Sequence, residues 1–245
     1  MQFTDDGFLN RRLQILQPKK GGFRAGVDSV FLAAAIPARP DEAILEAGTG
    51  PGVAACCLMW RVPQAHFTGI EKEPASAALA RENLARNGLA GDIIEADILA
   101  ETGLSEKRFQ HGFANPPWFD AKSHSLSPHG LKARAHAADE NTLELWVAKL
   151  ASQLEAHGSL SFILPAQDEA RASAAFSANN IGAIQILPIC PRLGEPAIRI
   201  LIQGHKSAKA TSQRLSDFIL HGEGHQFRPQ AQAILREGEK LQLSS

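Results

Sequence analysis

One short stretch brings an amide, a backbone carbonyl and an aromatic ring together, in Asn115, Pro116, Pro117 and Trp118. The prolines fix φ and remove N–H donors, so we expect a rigid stretch with the Pro116 carbonyl free to accept. Two acceptors suit the two hydrogens of a planar amino group, and Trp118 offers a stacking face. This chemistry is N-methylation of an amino group, in which the acceptors orient the nitrogen and stabilise its growing charge. The two prolines alone would equally describe an ordinary loop.

A glycine-rich turn is the second candidate, formed by Gly48, Gly50 and Gly52 after Glu46. Glycines allow a sharp turn and a close approach of a ligand to the backbone. Glu71 follows Gly52 by 19 residues, where a carboxylate accepts both hydroxyls of a ribose. We therefore predict an adenosine-containing cofactor, and both a dinucleotide and S-adenosylmethionine (SAM) fit. The alternative, that this is a glycine turn which binds no ligand, stays open.

Asp97 and Ile98 close a third apolar run and form the third candidate. The Asp97 carboxylate would accept from an adenine amino group while Ile98 packs on the ring. An aspartate that caps a helix or a turn explains the same spacing.

Short apolar runs alternate with helical patterns from residue 42 onward. Strands are predicted at residues 42–46, 66–70, 92–95, 109–115 and 160–164, and helices at 53–61, 74–87, 142–156 and 169–179. Such alternation favours an α/β fold with a mostly parallel sheet and helices on both faces. A hairpin of residues 183–189 and 197–202 would add one antiparallel strand. Ligands of such sheets bind beyond the carboxyl ends of the strands, which is where all three candidates lie.

Composition and charge exclude several classes of protein. The chain has 245 residues, a formal charge of −1 and 44% hydrophobic residues, which rules out a disordered chain. The longest apolar run, residues 30–36, is far shorter than the ~20 residues of a membrane span. The first residues lack the pattern of a secretory signal. Three cysteines and scattered histidines form no disulfide framework or metal-ligand spacing, so we expect a cytoplasmic protein without a metal.

Three segments carry local positive charge on this nearly neutral chain. Residues 1–24 hold five basic residues against two acidic ones, residues 121–138 three against none, and residues 189–214 five against one. If the substrate is RNA, Lys19-Lys20, Lys132-Arg134 and Arg192-Arg199 should flank the Asn115 pocket. Scattered solvated charges are the alternative.

These motifs together resemble the class I SAM-dependent methyltransferases with an Asn-Pro-Pro-aromatic motif. More closely, the chain resembles the bacterial tRNA(Val) adenine-37 N6-methyltransferase family. The resemblance rests on Gln17-Pro-Lys-Lys-Gly21-Gly-Phe23-Arg-Ala-Gly-Val-Asp28, the Glu46 glycine loop, residues 115–118, and Pro191-Arg-Leu-Gly-Glu-Pro196-Ala-Ile-Arg199. It implies a Rossmann-like, seven-stranded, mostly parallel sheet with one antiparallel strand.

The resemblance also implies roles for individual residues. The catalytic residues would be Asn115, Pro116, Pro117 and Trp118. The cofactor site would comprise Phe23, Asp28, Glu46, Gly48, Gly50, Gly52, Glu71, Lys72, Asp97, Ile98 and Asn115. Trp118 stands where tyrosine or phenylalanine is usual in the family. Gln110-His111 stands where an acidic residue commonly begins the fourth strand of the sheet, and we expect this second change to affect only packing.

We therefore expect a single domain over residues 1–245, with an arm over 1–40, a sheet core over 41–206 and a C-terminal extension over 207–245. The expected cofactor is SAM and the expected partner is RNA, specifically tRNA, with no membrane partner and the oligomeric state open. The alternative function is protein glutamine N5-methylation. A nicotinamide dehydrogenase has no use for residues 115–118, and a DNA methyltransferase would need a further recognition domain. An RNA-binding module without catalytic activity would have no use for the predicted adenosine pocket.

Overall fold

The computed structural model describes residues 2–19, 25–100, 102–104, 108–116, 142–224 and 226–243. Three predicted site residues, Phe23, Pro117 and Trp118, lie outside these ranges, as do Lys20 and the positive segment 121–138.

A mostly parallel sheet forms the centre of the structure. Its strands are β3 (Ala43–Ala47), β4 (His66–Glu71), β5 (Asp92–Glu95), β6 (Phe109–Ala114), β7 (Leu154–Pro165), β8 (Ile181–Cys190) and β9 (Arg199–Lys206), with the two-residue strands β10 (Gln213–Arg214) and β11 (Phe218–Ile219). The spatial order is β10-β8-β9-β7-β6-β3-β4-β5, and β11 also pairs with β8. Strand β9 is antiparallel to both of its neighbours. The predicted seven long strands with one antiparallel member are confirmed, and two short strands extend them.

Helices cover both faces of the sheet, as predicted. They are α1 (Val27–Ala35), α2 (Val53–Arg61), α3 (Pro74–Arg86), α4 (Thr142–Gln153), α5 (Glu169–Ala178) and α6 (Pro229–Glu237). One apolar core lies beneath α1, α2, α3 and α6, and a second beneath α4 and α5. Ile44 contributes to the first core and its neighbour Leu45 to the second, because successive side chains of a strand point to opposite faces. None of the described helices has the length and apolar character that a membrane crossing requires.

The predicted boundary between the helix at 142–156 and the strand at 160–164 is wrong. The helix that was expected to reach residue 156 ends at Gln153, and Leu154 already belongs to β7. Leu154 pairs with Phe109 of β6, so sheet pairing overrides the helical spacing of the leucines. Gly158 lies inside β7, where a Cβ atom would come 3.0 Å from the Gln110 carbonyl.

A hairpin that the sequence did not predict precedes the sheet. Its strands are β1 (Phe3–Phe8) and β2 (Leu13–Pro18). Asn83 of α3 exchanges hydrogen bonds with the Leu16 backbone at 2.8 and 2.9 Å, and Asn87 bonds the Gln14 backbone in the same way. The hairpin is thereby fixed along α3.

A buried polar chain lies at the edge of the sheet formed by the amino ends of the parallel strands. His111 Nε2 is 2.8 Å from Glu42 Oε2, and His111 Nδ1 is 2.8 Å from Ser159 Oγ. Gln110 accepts a hydrogen bond from the Ala43 N–H at 2.6 Å. Gln110 and His111 therefore connect three neighbouring strand segments through hydrogen bonds, beyond the packing role that we expected.

Candidate active site

The carboxyl ends of the central parallel strands, here called the carboxyl edge, gather the predicted site residues. Glu46 lies near the end of β3, Glu71 ends β4, and Asn115 directly follows β6. Strands β4, β3 and β6 are neighbours in the sheet, and paired strands lie about 4.8 Å apart. The predicted cofactor residues and the predicted catalytic asparagine therefore share one short stretch of this edge.

The glycine loop has the backbone conformation that its sequence predicts. Gly48, Gly50 and Gly52 have φ values of 69°, 56° and 81°, in the left-handed region that favours glycine. The N–H groups of Gly48 and Thr49 both donate to the Ile70 carbonyl, at 2.8 and 3.1 Å. These bonds hold the loop against the end of β4.

Glu71 fastens the same loop through its side chain. Its Oε2 atom accepts from the Gly50 N–H and its Oε1 atom from the Glu73 N–H, both at 2.8 Å. The residue is 8% exposed. A carboxylate oxygen accepts more than one hydrogen bond, so these contacts leave capacity for the ribose hydroxyls that were predicted as ligands. Glu71 therefore orders the loop, and its contact with ribose stays a prediction.

Glu46 and Thr49 bury polar atoms whose hydrogen-bonding capacity is not filled. Within the described residues, Glu46 Oε2 makes no hydrogen bond of good geometry, and the Thr49 side chain faces the Glu46 carboxyl and favours its charged form. Burial, reinforced by the negative charge of Glu71, raises the pKa of the Glu46 carboxyl well above its ordinary value. Buried polar groups are normally satisfied, so these atoms fit a site that receives donors or positive charge from a ligand. SAM offers both, on its ammonium and sulfonium groups.

Trp146 forms part of this site, and sequence reasoning missed it. A Cβ atom on Gly48 would lie 2.7 Å from Trp146 Cη2 and 3.1 Å from Cζ3, so the indole of α4 rests directly on the glycine backbone. The side chain is only 9% exposed. Helical spacing predicts a buried face for α4, but no sequence signal shows which element that face meets.

Asp97 and its neighbours lie just beyond β5. Asp97 Oδ1 accepts from the Leu99 N–H at 2.9 Å, and its carbonyl accepts from the Ala100 N–H. The aspartate therefore caps a turn, which was the alternative interpretation, and its contact with adenine stays a prediction. Ile98 is 4% exposed, whereas Lys72 is exposed.

The catalytic stretch is described as far as Pro116. Asn115 is half-buried and Pro116 is buried. Their positions follow from β6, which pairs with β3 through Ala114 and Ala47 and so ends level with the glycine loop.

Asp28 connects the first helix to the sheet. Arg199 Nε donates to Asp28 Oδ2 at 2.9 Å, and both side chains are mostly covered. Arg199 begins β9 and pairs with Pro165, the last residue of β7, so this ion pair lies at the carboxyl edge. The contact of Asp28 with the cofactor stays a prediction.

The positive segment of residues 189–214 is largely engaged within the molecule. Besides Arg199, Arg214 pairs with Glu169, Arg192 donates to the Gly224 carbonyl, and Lys206 donates to two backbone carbonyls. Local charge in the sequence therefore overstated the charge that this segment offers to a partner.

Comparisons with known proteins extend these observations. The profile of the methyltransferase small domain family matches residues 24–153, which is more than half of the chain. A tRNA1(Val) (adenine(37)-N6)-methyltransferase from Actinobacillus succinogenes is 25% identical over 95% of this chain and 96% of its own length. The enzyme of the same name from Porphyromonas gingivalis is 31% identical, and the match covers 58% of each chain.

Solved structures share the fold. The crystal structure of a predicted O-methyltransferase from Agrobacterium tumefaciens superposes with a TM-score of 0.73, at 25% identity, over 88% of this chain and 98% of that one. A 16S rRNA N2 methyltransferase from T. thermophilus, in complex with AdoMet and guanosine, superposes with a TM-score of 0.56, at 16% identity, over 84% of this chain and 50% of that one. Among the described residues, no group of three His, Cys, Asp or Glu side chains comes together as a metal site would require.

Proposed function

Because the chain belongs to the methyltransferase small domain family, we propose that it methylates the N6 amino group of an adenine in RNA, specifically in tRNA. The class predicted from the sequence, a Rossmann-like SAM-dependent methyltransferase, is confirmed by the family match and the shared fold. The relatives named as tRNA adenine-N6 methyltransferases support the choice of RNA over the alternative, a protein glutamine.

The placement of Asn115 carries this proposal. Asn115 directly follows β6, and the glycine loop follows the neighbouring strand β3. A planar amino group bound at Asn115 would therefore face a cofactor in the loop. We expect the Asn115 side-chain oxygen and the Pro116 carbonyl to accept the two amino hydrogens, with Trp118 stacking on the base.

The residues of the loop fit the cofactor. Glu71 would hold the ribose of the adenosine part. The left-handed glycines and Glu46, with Thr49, would lie at the methionine part, which carries the cationic groups of SAM. When bound, SAM supplies an electrophilic methyl group. The two acceptors favour the positive charge that grows on the attacking nitrogen. That charge makes both of its protons acidic, and one of them is lost to solvent to give the neutral methylated amine. No strong general base is then required.

Transfer to an unmodified tRNA pool tests the proposal. Purified protein is incubated with tRNA that lacks modifications and with methyl-tritiated SAM, and the labelled nucleoside is identified after digestion. We expect label in N6-methyladenosine. A parallel reaction replaces the tRNA with a glutamine-containing peptide. Label in the peptide, with none in the RNA, would instead establish the alternative function.

Asn115→Ala provides the mechanistic arm of this experiment. Loss of one positioned acceptor should reduce transfer by about 10²–10³-fold. SAM affinity, measured by calorimetry, should fall far less than transfer does, because the main role assigned to Asn115 is to hold the target amino group. Near-normal turnover in this variant would contradict the mechanism.

A further inference from the structure

A second surface, away from the glycine loop, has the composition of a nucleotide-binding groove. It is a cavity of about 430 Å³ between the β1–β2 turn, α1 and α6. Phe8, Val30, Phe227 and Leu235 form its apolar floor. Cavities of this size accommodate ligands of several hundred daltons.

Two arginines border this groove, and its described lining contains no carboxylate. Arg11 comes from the turn and Arg236 from α6, and both are exposed. Within the described residues, neither guanidinium makes an ion pair or hydrogen bond. In contrast, neighbouring Arg12 is occupied by Glu237 at 2.7 Å, and Glu237 also accepts from Asn10. The groove therefore offers uncompensated positive charge above an apolar floor.

The turn that presents Arg11 is strained. Leu9, Asn10 and Arg11 have φ values of 48°, 56° and 64°, three successive left-handed residues without a glycine. Each such residue costs about 1–2 kcal/mol. Leu9 is buried in the core and anchors the turn, and the Arg11 stem lies over Gly7, where a Cβ atom would come within 2.7 Å. This packing fixes the direction in which Arg11 leaves the surface.

The groove also adjoins the carboxyl edge. Val27 lines the groove and is 37% exposed. The next residue, Asp28, pairs with Arg199 at the start of β9. The groove therefore neighbours the Asp28–Arg199 pair, and that pair lies at the same edge of the sheet as Asn115.

We propose that this groove binds a phosphate and a neighbouring base of the RNA substrate, outside the nucleotides that reach the catalytic stretch. The inference rests on the proposed function, since it assigns a second contact to the same substrate. Positive charge without carboxylates complements a phosphate backbone, and a partly apolar floor with Phe227 complements the face of a base. The stacking of Phe227 on His221, with ring centres 4.7 Å apart, holds that ring in place. It also gives a role to α6, to which the sequence assigned none.

Removal of the two arginines tests the groove. An unmodified tRNA transcript is titrated against full-length protein over a range of salt concentrations. Arg11→Ala combined with Arg236→Ala should weaken binding at least about tenfold and reduce the log–log salt slope by about 0.7, the loss of one single-strand phosphate contact. KM for tRNA should rise while kcat and SAM affinity stay unchanged, because the groove lies away from the reacting atoms.

Three controls make the result specific. Lys149→Ala with Lys209→Ala removes the same charge outside the groove and should alter binding less than twofold. The Arg11→Lys and Arg236→Lys pair keeps the charge and should retain most of the salt slope. A short oligonucleotide that holds only the target adenine and its neighbours should bind wild type and the alanine pair equally.

The outcomes separate this inference from the proposed function. If wild type binds tRNA and the alanine pair binds it as tightly as the Lys149→Ala, Lys209→Ala variant does, the groove assignment is wrong and the proposed function stands. If the alanine pair instead dissociates a dimer with unchanged tRNA affinity, the groove is an interface between copies of this chain. If wild type binds no RNA, both proposals fail.

Discussion

Gly48→Ala should be among the most destabilising single-methyl additions in this protein. The residue has a φ of 69°, and an alanine there costs about 1–2 kcal/mol for its left-handed backbone. The added Cβ would also lie 2.7 Å from Trp146 Cη2, and overpacking of this kind costs about 1–3 kcal/mol. The free energy of unfolding should therefore fall by about 2–5 kcal/mol. For a chain of this size, that lowers Tm by roughly 4–20 °C.

Two other glycines separate the two contributions. Gly88 has a φ of 66° but no atom within 4 Å of its Cβ position, so Gly88→Ala should cost only the backbone part. Gly222 has neither a left-handed φ nor a neighbouring atom, so Gly222→Ala should change stability by less than about 0.5 kcal/mol. Urea unfolding followed by circular dichroism measures all three without depending on tryptophan emission.

The double variant Gly48→Ala, Trp146→Leu completes the test. Removal of the indole should relieve the packing part and leave the backbone part, giving a favourable coupling energy of about 1–3 kcal/mol. SAM affinity should fall in Gly48→Ala and stay normal in Gly88→Ala. If Gly48→Ala costs no more than Gly88→Ala, the indole does not rest on the glycine backbone as described.

Three further variants test the polar groups. Glu71→Ala should weaken SAM at least about tenfold by calorimetry, because charge-assisted hydrogen bonds contribute about 1.5–3 kcal/mol each and Gly50 loses its acceptor. Glu46→Gln should leave the free energy of unfolding unchanged near pH 4 and raise it at pH 8. A carboxyl whose pKa is raised in the folded state destabilises the fold at pH values above its unfolded-state pKa of 4.5. A difference from wild type that does not depend on pH would contradict this. Burial lowers the pKa of His111, so its contribution to stability is lost as the pH falls below 6.5. His111→Gln should flatten that decline in pH-dependent urea unfolding. It should also destabilise the protein at pH 8, where Glu42 keeps the Arg39 N–H but loses the imidazole.

The parallel core was predictable from the sequence because its signals are local. Helix α2 and strand β5 have the predicted bounds, Val53–Arg61 and Asp92–Glu95. Apolar runs that end at glycine or proline indicate buried strands and helix ends whatever the tertiary contacts are. Pro74 at the start of α3 and the left-handed Gly88 after it show the same locality.

Features that depend on distant contacts were not predictable. The β1–β2 hairpin has a polar first strand and no glycine in its turn, and its bonds to Asn83 and Asn87 join residues far apart in sequence. The contact of Trp146 with Gly48 likewise requires the packing of α4 on β3. For Asp97, one spacing fits both a turn cap and a ligand contact, and the cap is recognised only from its hydrogen bond with the Leu99 N–H.

The position of β9 between β7 and β8 has a consequence for synthesis on the ribosome. Strand β7 pairs with β9 along residues Ser159 to Pro165, so this edge has no partner until Arg199–Lys206 have been translated. At about 5–20 residues per second, the apolar edge stays open for roughly 2–8 s in every nascent chain. β8 emerges earlier but joins the sheet only through β9. A slow codon cluster between these strands would lengthen the interval in which nascent chains can pair edge to edge, so yield of the native protein should depend on translation speed across this hairpin.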